Sequence, residues 1–384
     1  LENVGHTNRH LTFFEMLGNF SFGDYFKEQA IGYAFQVSME IFQLPYDLLW
    51  ATVYEEDDES FELWKKHLPE NRIVRMGKKD NFWSMGEFGP CGPCSELYLD
   101  KGPKFSNASS PLYDADGERY CEFWNLVFME KENTQKGLVS LPTKNIDTGS
   151  GLERVLSLIE GKNSVFETDV LAELIESIKP LSQKPYNPSF SAHFRIIADH
   201  IRALSFAIAD KSAPSNTKEG YVLRKILRRA ARSGKALGIQ GPFLAKLLPV
   251  LCETMGGFYP ELIARKDGIA SILQEEEDSY TYTLEKGGAL LNSLVESPTK
   301  KHLSGEEAFK LKDTYGLPLD EILLLSKDLG LNVDIASFRA LEKKAQELSK
   351  GAKKEEVDIA VSLFHSWKSP CIFHEDEPSL KSLI

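Results

Sequence analysis

Hydrophobic and polar positions along the 384-residue chain change texture once, near Thr168. Before that point, short apolar and aromatic runs stand between glycine- and proline-rich joints, a pattern that predicts strands. Leu48-Leu49-Trp50-Ala51-Thr52-Val53-Tyr54 and Tyr120-Cys121-Glu122-Phe123-Trp124-Asn125-Leu126-Val127-Phe128-Met129 are the clearest. The second is apolar on both faces apart from Glu122 and Asn125, as suits a buried central strand. Between them, Phe88-Gly89-Pro90-Cys91-Gly92-Pro93-Cys94-Ser95 reads as a stiff turn. From Thr168 through Leu348 apolar positions recur at helical spacing. Asp199 to Leu204 reads as helix, Ala213-Pro214-Ser215-Asn216 as a turn, and Tyr221 to Lys235 as another helix. Lys350 to Glu356 is a charge run suited to a linker. The segment after it, with Val361 to Phe364 and Cys371 to Phe373, hints at strands. The organisation expected is α+β, with domains at 1–165 and 166–350 and a linker opening a β-rich domain at 351–384.

Composition narrows the class. With 42% hydrophobic and 27% charged residues the chain is an ordinary folded protein, too long for one core. A formal charge of −12 excludes nonspecific nucleic-acid binding by the whole surface. Locally the balance reverses: residues 193–238 carry ten basic side chains against three acidic ones, a net of +7. Arg224, Arg228 and Arg232 recur every four residues, so they share a helix face and suggest a stripe that tracks phosphates. Five cysteines, few and odd in number, argue against a secreted disulfide scaffold. No apolar run approaches the ~18–20 residues that span a bilayer, and no signal peptide is seen. A cytoplasmic setting fits best. Both ends read as cuts, since the chain opens on Leu1-Glu2-Asn3-Val4 without an initiator methionine and stops at Ile384 without a polar tail.

Two segments carry chemistry. Arg9-His10-Leu11-Thr12-Phe13-Phe14-Glu15-Met16-Leu17-Gly18-Asn19-Phe20 resembles the second half of motif 2 of the class II aminoacyl-tRNA synthetases, in the wording of the alanyl-tRNA synthetase family. The pattern is a basic residue, three others and a phenylalanine, here His10 to Phe14. Asp147-Thr148-Gly149-Ser150-Gly151-Leu152-Glu153-Arg154 resembles motif 3, a strand-to-helix glycine turn followed by an arginine. Each alone is weak, because core phenylalanines and glycine turns are common. In this order and spacing they are specific, and the resemblance extends from Leu1 to about Leu348.

The resemblance implies a class II antiparallel sheet flanked by helices, followed by a mostly helical tRNA-recognition domain. It implies an ATP site at His10, Phe14, Glu15, Gly149, Gly151 and Arg154. Phe14 would stack on adenine, and Arg154 would grip the γ-phosphate or pyrophosphate. It implies an alanine site at Trp83, Asn125, Val127, Asp147 and Gly149, with Asp147 on the substrate ammonium. Asp147 and Arg154 would carry the catalysis. Glu96 and Glu122 are candidates to hold Mg²⁺, although an ordinary salt bridge suits each equally well. Asn216 and Asp313 match the pair that reads the acceptor-stem G·U wobble; position alone fits a helix cap just as well.

The implied activity is alanine–tRNA ligation, in which ATP activates alanine and alanyl-adenylate is transferred to the 3′ end of tRNA(Ala). Motif 1 and the α-phosphate arginine would precede residue 1, so residues 1–384 alone are expected to be nearly inactive. An editing domain, the one place where zinc is expected, would lie beyond Ile384. Editing is expected because an alanine pocket rejects glycine or serine by only ~1–3 kcal/mol. The Cys91-Gly92-Pro93-Cys94 pair lacks a second ligand pair nearby and reads as a structural turn, not as a redox or zinc motif. The alternatives are a non-catalytic tRNA-binding relative, which should have lost Asp147 or Arg154, and a helical RNA-binding protein with an unrelated α/β domain.

Overall fold

The computed structural model describes residues 1–114, 117–294, 301–328 and 330–345. The charge run at 350–356 and the strand-like segments after it lie outside the described residues. The chain divides into two compact units, Leu1–Asp278 and a second that begins at Ser279. No described helix is long and apolar enough to cross a membrane.

The first unit holds a sheet of eight strands among the described residues: β1 Met16–Leu17, β2 Phe20–Phe22, β3 Leu49–Tyr54, β4 Ile73–Met76, β5 Phe82–Ser84, β6 Gly89–Asp100, β7 Tyr120–Thr134 and β8 Gly137–Gly151. The order is β1-β8-β7-β6-β3-β4, with β2 also on β8 and β5 also on β6. Only the β3–β4 pair in this sheet is parallel. Helices α1 Lys27–Gln36, α2 Asp58–Trp64, α3 Lys78–Asn81 and α4 Leu152–Ile159 accompany it. Its core joins Ala30, Ile31 and Trp64 to Leu97, Leu126, Phe128 and Ile146. The β3 and β7 segments are the two runs that the apolar pattern marks.

The segment read as a turn at 88–95 is instead the start of β6. Two departures from regular pairing make this possible. Between Cys91 and Cys94 the register against β7 shifts, and Gly92 and Pro93 pair with Trp83 and Phe82 of β5 instead. Pro93 thus leaves the β7 ladder, where its missing N–H would cost a hydrogen bond. Gly92 lies so close to β7 that a Cβ would stand 1.9 Å from the Phe128 carbonyl oxygen. A second shift lies between Leu97 and Tyr98, which pair with Trp124 and Glu122, so Phe123 is an extra residue in β7. In a regular strand, residues three apart face opposite ways; this bulge turns Glu122 and Asn125 onto one face.

Beyond the sheet come α5 Asp169–Ile178, α6 Ser191–Ala209, α7 Lys218–Ala236, α8 Leu244–Met255, α9 Pro260–Ala264 and α10 Lys266–Leu294, the last continuing into the second unit. Their core gathers Phe194, Ile197, Ile201 and Leu204 of α6 with Leu227, Leu248 and Leu251. Helix α6 is buried almost all round, including Asp199, His200 and Arg202. Helix α7 buries Ile226, Leu227, Ala230 and Ser233, one stripe at helical spacing.

The second unit contains α11 Gly305–Tyr315, α12 Leu319–Asp328 and a short parallel pair, β9 His302–Leu303 with β10 Asn332–Val333. A capping box of Ser304 and Glu307 starts α11, and Gly316, at φ 72°, ends it in the left-handed conformation. Leu303, Ala308, Leu311, Ile322 and Phe338 form its core.

Candidate active site

Strand β8 sets up the site by alternation. Ile146, Thr148 and Ser150 are buried, which leaves Asp147, Gly149 and Gly151 on the other face. That face borders a cavity of about 370 Å³, within the range of small-molecule sites. Its wall takes Asp147, Gly149 and Gly151 from β8, Glu122, Asn125 and Val127 from β7, and Trp83 from β5. Arg154 enters from α4, and Arg9, His10 and Phe14 from the segment before β1. The structure therefore brings together the residues expected for alanine and all those expected for ATP except Glu15.

Arg154 stands one helical turn past the glycines. Its Nη1 donates to the Glu122 carbonyl oxygen at 2.7 Å and approaches Glu122 Oε2 at 3.4 Å. The pair is part-exposed, at 22% and 32% for the two side chains, so both charges remain open to the cavity. Phe14 is exposed. His10 is tied to Thr7 Oγ1 at 2.7 Å. Burial, and then the positive charge of Arg9 and Arg154, lower its pKa, so at neutral pH His10 is a neutral imidazole. The charge at this end belongs to Arg9 and Arg154. Sequence reasoning passed over Arg9, although it sits next to His10 in the same motif.

Glu15 is directed elsewhere. Its carboxylate accepts a hydrogen bond from Tyr259 Oη, which pushes that phenol up to about 12. The Thr12–Glu15 segment is held by α6 and α4. Asp199 Oδ1 accepts from Thr12 N at 2.8 Å, Arg202 Nη2 donates to Phe13 O at 2.6 Å, and Glu153 accepts from Glu15 N at 3.2 Å. Arg202 Nη1 and Glu153 Oε1 are 2.6 Å apart and both buried. Arg202, counted in the sequence as part of the basic segment, is thus an internal tie.

The two candidate acids for Mg²⁺ separate. Glu122 reaches the cavity wall. Glu96 is buried beneath it, where Tyr98, Thr52 and Asn125 all donate to its oxygens. Burial, and then the Glu122 carboxylate, push its carboxyl up to about 8, against the pull of those hydrogen bonds. Burial likewise raises the thiols of Cys91, Cys94 and Cys121, so they hold their protons and none is primed as a nucleophile.

On α7, the acid that relieves the arginine stripe comes from α10. Arg224 makes a two-pronged pair with Glu276, at 2.7 and 2.9 Å, and Arg228 Nε lies 4.0 Å from the same carboxylate. Arg224 also donates to Asn216 Oδ1. Arg232 is half-buried, while Lys218 and Lys225 are exposed one heptad apart, on one side of α7. Asn216 is exposed before α7 in the first unit, and Asp313 is exposed on α11 in the second.

A strand-turn-helix that presents Asp147 and Arg154 to one cavity, facing Phe14, is the arrangement of a class II synthetase, and the chain belongs to that family: residues 1–371 match the family model for tRNA synthetases class II (A). The curated proteins it is similar to include three named alanine–tRNA ligase. It is 57% identical over 354 residues to that of Chlamydia caviae, covering 91% of this chain and 40% of the relative. For Chlamydia trachomatis serovar D the figures are 55% over 368 residues, 95% and 42%. For Campylobacter jejuni subsp. doylei they are 47% over 363 residues, 94% and 43%. The chain spans about two fifths of the length of these relatives.

Proposed function

We propose that the chain carries the amino-acid-activation site of an alanine–tRNA ligase together with part of its tRNA-binding surface. The observation behind this reading is that Asp147 and Arg154 line a single cavity with Phe14, Trp83 and Asn125. The relatives named alanine–tRNA ligase support alanine as the substrate. In this reading the alanine ammonium lies against the Asp147 carboxylate and Asn125 Oδ1, a buried acceptor that finds no hydrogen-bond partner among the described residues. Trp83 and Val127 wall off space for one methyl group. Adenine stacks on Phe14, and Arg154 takes the γ-phosphate.

The substrate carboxylate is already an anion, so activation needs no general base. One of its oxygens attacks the α-phosphorus in line as the bond to the bridging α–β oxygen breaks. Pyrophosphate leaves with that electron pair, and alanyl-adenylate remains. Positioning and charge neutralisation by Arg154 supply the catalysis. Mg²⁺, when bound, adds further neutralisation of the phosphates. Glu122 is the acid fitted to hold it, because its carboxylate borders the cavity whereas the Glu96 oxygens are already bonded. The adenylate is then passed to the 3′ end of tRNA(Ala), with Asn216 and Asp313 reading the G·U pair and Lys218 and Lys225 lying against phosphates. ATP, alanine and tRNA(Ala) are the partners, in the cytoplasm.

The test is ATP–pyrophosphate exchange by the full-length gene product across all twenty amino acids. Exchange with alanine well above the rest is expected. Exchange with none, alongside intact tRNA(Ala) binding, is the outcome for a non-catalytic relative and overturns the reading.

A further inference from the structure

Beneath the cavity a row of residues crosses the sheet in register: Thr52 on β3, Glu96 on β6, Asn125 on β7 and Gly149 on β8. Three donors converge on the Glu96 carboxylate. Tyr98 Oη donates to Oε2 at 2.6 Å, Thr52 Oγ1 donates to Oε2 at 3.3 Å, and Asn125 Nδ2 donates to Oε1 at 3.2 Å. The Thr52 proton points this way because its oxygen already accepts from Asn81 Nδ2 at 2.9 Å. Asn81 is itself buried and directly precedes β5, the strand that carries Trp83.

We infer that Glu96 is a positioning residue that holds the Asn125 amide with its carbonyl oxygen toward the cavity, and so makes the pocket select a cationic amine. The inference rests on the activation reading above. An amide side chain has a donor end and an acceptor end of nearly equal size, and its surroundings decide which way it faces. Tyr98, Thr52 and Asn125 Nδ2 all donate to the Glu96 carboxyl oxygens, so Asn125 turns its NH₂ to Glu96 and leaves Oδ1 for the substrate. A buried, unmatched acceptor near the Asp147 carboxylate calls for a charged donor. Glu96 touches no substrate; it acts through Asn125.

The experiment compares alanine and ATP KM in pyrophosphate exchange by the full-length gene product. In Glu96→Gln, Tyr98 and Thr52 keep the amide oxygen, so the Gln NH₂ faces position 125. Asn125 must then turn over and present its own NH₂ to the substrate cation. The alanine KM is expected to rise by about tenfold or more while the ATP KM stays within about twofold. The exchange of roles, Glu96→Gln with Asn125→Asp, again gives an acceptor on the cavity side and should bring the alanine KM back to within about threefold of the parent. Tyr98→Phe removes a bond on the far oxygen only and should leave the alanine KM unchanged.

Equal changes in both KM values, no change in either, failure of the exchanged pair to recover, or a Tyr98→Phe effect as large as that of Glu96→Gln would each overturn the inference. The exchanged pair keeps the comparison decisive even where Glu96→Gln alone does not fold. Alanine-dependent exchange by the parent protein tests the underlying reading separately, so failure of the one is distinguishable from failure of the other.

Discussion

Arg202 on α6 and Glu153 on α4 meet at 2.6 Å with both side chains buried, and each also bonds the backbone of the segment that carries Phe14. The guanidinium holds Phe13 O and the carboxylate holds Glu15 N. One ion pair thus fixes the segment that carries Phe14 from the side of the helices. Arg202→Met removes the cation and leaves a buried carboxylate, which should cost about 3–5 kcal/mol in urea unfolding. Arg202→Met with Glu153→Gln should recover a good part of that loss. Additive losses in the double mutant would show that the two residues act independently.

If Asp147 holds the substrate ammonium as proposed, it separates amino-acid binding from RNA binding. Asp147→Ala should lower alanine-dependent exchange by the full-length protein at least about a hundredfold, the worth of a desolvated charge-assisted contact. tRNA affinity should stay nearly intact. Parallel loss of both would count against the assignment.

Helix α7 carries basic residues of two kinds. Arg224 is occupied by Glu276, so Arg224→Ala should appear as a stability loss of about 1–3 kcal/mol, because Glu276 loses its partner. Lys218 and Lys225 are exposed. Changing each to alanine should weaken tRNA binding and lower the slope of log affinity against log salt by roughly one. Lysine variants with unaltered slopes would move the RNA to another face.

Glu277 of α10 is buried, and the amides of Phe243 and Leu244 at the start of α8 donate to it. Burial nevertheless raises its carboxyl from 4.5 to about 7. The protonated acid is the better-tolerated form inside the fold. The stability it contributes is therefore complete below about pH 4.5 and is lost as pH rises through about 7. Glu277→Gln cannot ionise, so the advantage of the parent over the variant should shrink across this window by on the order of 3 kcal/mol at most. Denaturant unfolding at both ends of the window measures it; a constant difference would place the ionised form comfortably in the fold.

The strands at 49–54 and 120–129 and the helix after Tyr221 are legible in the sequence because their apolar spacing is strong and local. The pocket is legible through motif order at Asp147 and Arg154. Other features depend on pairing that spacing cannot reveal. Glu122 and Asn125 are three apart, and only the extra residue at Phe123 turns them to one side. The Gly-Pro pairs at 89–93 look like a turn, yet they form a strand because β5 accepts the residues that β7 cannot pair. Arg202 and Arg224 look like solvent-facing charges until Glu153 and Glu276, far away in the chain, are seen beside them.

Gly92 pairs with Trp83 on one side and presses against the Phe128 carbonyl on the other. The distance between the tryptophan wall and the strand bearing Asn125 and Val127 is therefore set by a single hydrogen atom. An added methyl group there would stand 1.9 Å from the Phe128 carbonyl oxygen, so Gly92→Ala is expected to push β6 away from β7 and disturb the cavity wall. If the cavity holds the amino acid as proposed, its selectivity depends on a backbone position outside the cavity lining.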